Sequence, residues 1–127
     1  MEKKIITLAL ISVVAILGIF AYHNFKFDSK RNMMEMIAFI EENTDLVYKG
    51  DTLPVVKIKT QKEMCEILFD VVPEPCNIAG YYNDETNEIV IGDKPTIHMV
   101  KEKFREVILA HELVHFLQKT NGVYETI

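Results

Sequence analysis

Ala110-His111-Glu112-Leu113-Val114-His115-Phe116-Leu117 is the stretch on which the reading of the whole chain turns. On an α-helix, residues i and i+4 share a face, so His111 and His115 can aim two imidazoles at one metal ion. Glu112 stands beside the first histidine, within reach of a water on such a metal, where a carboxylate can act as general base. Leu113 and Val114 fill the positions between, and Val107, Ile108, Leu109, Phe116 and Leu117 surround the motif. Imidazoles set in that much apolar sequence are partly buried, and buried polar groups need partners. The plain alternative is an amphipathic helix carrying two solvated histidines and a glutamate. The apolar neighbours weigh against it.

Working backward, the motif closes a helix that reads from about Ile97 to Lys119, capped by Thr96 and buried along Val100, Phe104, Val107 and Ile108. Asn121-Gly122 supplies the left-handed stop. Upstream, Ile78 to Tyr82 and Glu88 to Ile91 flank the polar turn Asn83-Asp84-Glu85-Thr86-Asn87, the pattern of an antiparallel hairpin. Leu53 to Lys59 reads as a further strand, with Val56 and Ile58 on one face and Lys57 and Lys59 on the other. Thr60 and Glu63 form a capping box for a short helix from Gln61 to Phe69. Asn32 to Glu42 has Met33, Met36, Ile37 and Ile40 at helical spacing, which predicts a helix covering the core. Its methionines are read as packing rather than as a soft-metal site. The expected fold is α+β, with a small antiparallel sheet packed on the long motif-bearing helix.

Residues 1–22 are of another kind. After Met1-Glu2-Lys3-Lys4 an apolar run extends from Ile5 to Tyr22, broken only by Thr7, Ser12 and Gly18. Basic residues followed by such a run mark a signal peptide or a transmembrane anchor. Ile19-Phe20-Ala21 offers a weak cleavage site, whereas the length of the run favours a retained anchor. The lysines and arginine on both flanks set orientation only weakly. Residues 23–31 then form a polar linker, and residues 32–127 one compact domain, membrane-anchored or exported to the extracytoplasmic face. Two cysteines in an exported segment favour a disulfide between Cys65 and Cys76, with two independent thiols as the alternative. The net charge is −5 and no arginine cluster or basic stripe appears, so nucleic acid is not an expected partner.

The element order, ending in a helix with His111-Glu112-Leu113-Val114-His115, resembles the zincin metallopeptidases. Gly80-Tyr81-Tyr82, Asn87 to Ile91 and Leu109 to Gln118 look most like small gluzincin-like members of that group from bacteria and phages. The likeness covers about the last half of the chain, and only the pentapeptide is a sharp motif. It implies a Zn2+ ion on His111 and His115, Glu112 as general base, and hydrolysis of a peptide or protein substrate. It also implies an edge strand that binds extended substrate through its main chain. Ile89 to Ile91 is the expected strand, with Ile89, Val90 and Tyr82 lining the substrate.

Catalytic zinc normally takes three protein ligands. Phe116 to Thr120 lacks the glycine and histidine of the metzincin extension. Gluzincins use a downstream glutamate, and Glu125 is the sole carboxylate after His115, so it is the expected third ligand, against a solvated tail residue. His98 lies several helical turns before the motif, and His23 at the membrane boundary. Tyr81, Tyr82 and Tyr124 are candidate donors to an oxyanion, with packing as the plainer role. The alternative function is a catalytically inactive zinc-binding or structural membrane-anchored interaction module.

Overall fold

A computed structural model describes residues 29–96 and 98–123. The apolar run of residues 1–22 and the tail bearing Tyr124 and Glu125 lie outside these, as does His23. Among the described residues no helix is long and apolar enough to cross a membrane.

The elements follow in the order α1 (Ser29–Asn43), β1 (Val55–Lys59), α2 (Gln61–Leu68), β2 (Gly80–Asn83), β3 (Glu88–Gly92) and α3 (Lys101–Thr120). The α+β class and nearly every element match the sequence pattern. α3 is the exception at its start. Its N-cap is Val100, in extended conformation and with no side-chain cap, not Thr96. The backbone is non-helical at Thr96 and from His98 to Val100, so a hydroxyl at residue 96 stands too far upstream to receive the first free N–H groups.

The sheet is mixed rather than purely antiparallel, with order β1-β3-β2. β1 runs parallel to β3 from Val55 opposite Glu88 to Lys59 opposite Gly92. β2 pairs antiparallel with β3 through the predicted hairpin. Ile89-Val90-Ile91 is therefore the middle strand, not an edge. Its three side chains are all but inaccessible, as a strand flanked on both sides and covered by helices should be.

Periodicity explains the layers. Met33, Met36, Ile37 and Ile40 form the buried stripe of α1 and meet Leu109, Leu113, Phe116 and Leu117 of α3, with Ile89 and Ile91 closing the core from the sheet. Each fully buried side chain of this size contributes roughly 1.5–3 kcal/mol. Two polar contacts fix how α1 lies on α3. Asn32 Nδ2 donates to Glu106 Oε1 at 3.4 Å, both buried. Asn121 Nδ2 donates to the Val47 carbonyl at 2.9 Å, and Val47 N–H donates back to Asn121 Oδ1 at 3.2 Å. Both pairs are 74 residues apart in sequence, so α1 and α3 run in the same direction.

The capping box of α2 forms as expected, with Thr60 accepting from Glu63 N–H and Glu63 accepting from Thr60 N–H. The Cys65–Cys76 disulfide is present and ties α2 to the segment that enters β2. α3 ends in a Schellman turn: Gly122 N–H reaches the Lys119 carbonyl at 3.1 Å and Val123 N–H the Gln118 carbonyl at 2.8 Å. Gly122, with φ of 68°, provides the left-handed residue. Asn121 keeps a right-handed backbone and uses its side chain instead.

Candidate metal centre

α3 is held by α1 on one side and by the sheet on another, which leaves one stripe open. Spacing of four places His111, His115 and Lys119 on that stripe, and all three are exposed. Leu113 and Val114, between the histidines, are buried and anchor the turn that carries them. The two rings meet edge to face, 4.9 Å apart between centroids. Their Nε2 atoms stand 3.3 Å from each other. Two nitrogens bound tetrahedrally to one zinc at 2.0–2.1 Å lie about 3.3–3.4 Å apart, a separation this hydrogen-bonded pair of rings matches.

His115 Nδ1 faces Gln118 Oε1 at 3.2 Å. An amide oxygen can only accept, so Nδ1 carries the proton and Nε2 keeps its lone pair on the side of His111. Outer hydrogen bonds of this kind fix the tautomer and direction of a metal-binding imidazole. The His111 ring loses enough solvent that desolvation lowers its pKa, and His115 beside it lowers it further. Both effects favour the neutral, metal-binding form. Among the described residues no third His, Cys, Asp or Glu joins the pair. His98, exposed ahead of α3, is at least ten residues of helix away, about 15 Å along the axis. Glu125, the expected third ligand, lies beyond the described residues.

Glu112 points to the other side of the stripe, toward the sheet, and is 6% exposed. Burial raises its pKa to about 7, while a backbone hydrogen bond from Tyr82 N–H pulls in the opposite direction. A general base works best with a pKa near the working pH, and this carboxyl has one. β2 reaches Glu112 because of Gly80. A Cβ there would come within 2.5 Å of Ile108 Cγ2 and of the Val90 carbonyl oxygen, so only glycine lets α3 lie this close to the strand. Tyr82, two residues on, packs edge-to-face on Phe116 with ring centroids 5.9 Å apart.

β2 is also the strand that can take up an extended ligand. Gly92 N–H bonds to the Ala79 carbonyl, so alternation along the ladder turns the Gly80 and Tyr82 backbone groups outward, away from β3. Ile89 and Val90 have no such freedom, since each sits between two paired strands. Of the three expected substrate-lining residues, Tyr82 alone borders the site, through its main chain. Its hydroxyl is spent on Asn87 Oδ1 at 2.9 Å. Tyr81 lies on the opposite face, beside Val90, and its pKa is raised by burial first and Glu88 second. Neither hydroxyl points where Glu112 does. At the end of the stripe, Lys119 Nζ meets Asp84 Oδ2 at 3.0 Å, holding the hairpin turn to the helix.

Gln118 and Gly80 were not singled out in the sequence. Gln118 has a weak local signal, three positions after His115 on the same helix. Gly80 has none short of the strand pairing. No protein-family model, curated protein or solved structure matches the chain, so the zincin likeness stays with the residues that carry it.

Proposed function

We propose that the chain is a zinc-dependent peptidase of the zincin type, acting on peptide or protein substrates outside the cytoplasm. The observation that carries this reading is the convergence of His111 and His115 Nε2 at 3.3 Å on the helix turn that also carries the buried Glu112. His111 and His115 would hold the ion, with Gln118 keeping His115 in the binding tautomer. Bound there, a zinc ion supplies Lewis acidity that polarises a scissile carbonyl and acidifies water. Glu112 takes the proton from the attacking water and returns it to the leaving amine, and its pKa of about 7 suits both transfers. The outward main chain of Gly80 and the Tyr82 carbonyl align the substrate as an added strand alongside β2, the Tyr82 N–H being taken by Glu112.

Glu125 is proposed as the third ligand. The Schellman turn reverses the chain at Gly122 and returns Val123 to the Gln118 carbonyl, so the tail sets out from the residue that touches His115, two positions before Glu125. The test is cleavage of a peptide library by the zinc-loaded chain beside Glu112→Gln and Glu125→Ala. Glu112→Gln is expected to keep its zinc and lose at least about 10²-fold in rate, as removal of a general base does. Glu125→Ala is expected to lose zinc. Cleavage that survives Glu112→Gln undiminished rules out this mechanism; zinc and activity that survive Glu125→Ala remove Glu125 from the site.

A further inference from the structure

From the last turn of α2 onward the chain keeps large apolar side chains in solvent. In Ile67-Leu68-Phe69-Asp70-Val71-Val72, five of six residues are large and apolar, with exposures of 53%, 43%, 40%, 86% and 42% for Ile67, Leu68, Phe69, Val71 and Val72. A patch of neighbouring apolar residues left in water marks a surface that meets something. The Cys65–Cys76 disulfide clips its two ends together, and Pro73 and Pro75 stiffen its return. The loop stands off α2 across an open crevice of about 350 Å3, lined among others by Lys62, Glu66, Val72 and Pro73.

The position of this loop in the fold is fixed by pairings far from it. Gly80, where the chain leaves the loop and enters β2, lies against Ile108 of α3. Asn32, near the start of α1, bonds to Glu106, two residues before Ile108. Met64 of α2 lies against Gly92, at the same end of the sheet. The apolar loop and the start of α1 thus share one end of the molecule. Val47 and Asn121 mark the other end, and His115 lies toward it. The chain ahead of α1 contains the apolar run Ile5 to Tyr22, and the residues between that run and Ser29 can span no more than about 25 Å.

We propose that the disulfide-clipped loop docks on the surface of the lipid bilayer entered by Ile5 to Tyr22, with Phe69 and Val71 as its deepest side chains. A loop this small binds a bilayer only weakly by itself, and the tether makes the contact effective by raising its local concentration. Glu66, Asp70 and Glu74 flank the apolar residues in sequence, so the contact favours zwitterionic over anionic lipid. Docking at this end holds the histidine stripe away from the headgroups, open to soluble peptide.

The chain contains no tryptophan, so a single introduced one reports its own surroundings. Val71→Trp and Val47→Trp, each in the full chain, would be reconstituted into phosphatidylcholine vesicles with and without bromine on the acyl chains. An apolar side chain seated about 5–10 Å into the headgroup boundary lies within reach of those bromines, and Val71→Trp should be quenched at least about twofold more than Val47→Trp. Equal quenching at the two sites, with water-like emission from Val71→Trp, would overturn the proposal. So would shielding of Val71→Trp that depends on protein concentration rather than on lipid, because a second copy would then cover the loop. A full chain that fails to float with vesicles at all overturns the anchor and the docking together.

Discussion

The two ends of the domain are held by different means. Around His115, order comes from close packing: Phe116 and Leu117 are buried, Tyr82 lies on Phe116, and Asn121 ties the loop after α1 to the end of α3. Around Val71, order comes from the disulfide and from the pairing of the Gln61 amide with the Ile78 backbone, and the side chains presented face water. A candidate metal site needs ligands fixed to within a fraction of an ångström, which a packed helix provides. A docking loop needs its apolar residues kept out of the core, which a disulfide and two prolines provide.

That contrast is easiest to break at the packed end. Phe116→Ala should cost about 3–5 kcal/mol in urea unfolding, because it empties a core position and removes the seat of Tyr82. Val71→Ala, by comparison, should change stability by no more than about 0.5 kcal/mol. Reducing the disulfide, or replacing both cysteines by serine, should cost about 3 kcal/mol while leaving zinc affinity unchanged. Zinc affinity that falls together with the disulfide would show that the two ends are not independent.

Glu112 sharpens the comparison through pH. Its folded pKa, about 7, lies above the ordinary 4.5, so protonation favours the folded state. Its contribution is fully present below about pH 4.5 and is lost as pH rises through 7. In metal-free protein, Glu112→Gln should therefore be more stable than wild type by about 3 kcal/mol at pH 8, with the two curves converging near pH 4. The substitution proposed to remove activity should strengthen the fold. Gln118→Ala acts on the metal alone: zinc should bind roughly 10-fold or more weakly, as measured by competition with a chelator, with little change in metal-free stability.

Much of this was legible in the sequence. Met33, Met36, Ile37 and Ile40 announced α1 by their spacing, Thr60 and Glu63 announced α2, and the His111–His115 interval placed both imidazoles on one stripe. These features are local, and local periodicity records them. What was not legible depends on contacts between distant segments. The parallel pairing of β1 with β3 puts Ile89 and Val90 in the middle of the sheet, and the unbroken apolar run Ile89-Val90-Ile91 is the local sign of such a doubly covered strand, though not of which partner it pairs with. Tyr82 was marked for its side chain, yet its N–H is what meets Glu112, a fact of strand pairing. Asn32 and Glu106, buried against each other across 74 residues, gave no sign of it in either helix.

The most direct test of the central claim is the zinc content of the purified full chain beside that of His111→Ala. The account predicts about one zinc per wild-type chain and none in the variant, because a single remaining imidazole cannot hold the ion. Wild-type protein that takes up no zinc after reconstitution, or His111→Ala that keeps it, would contradict the account.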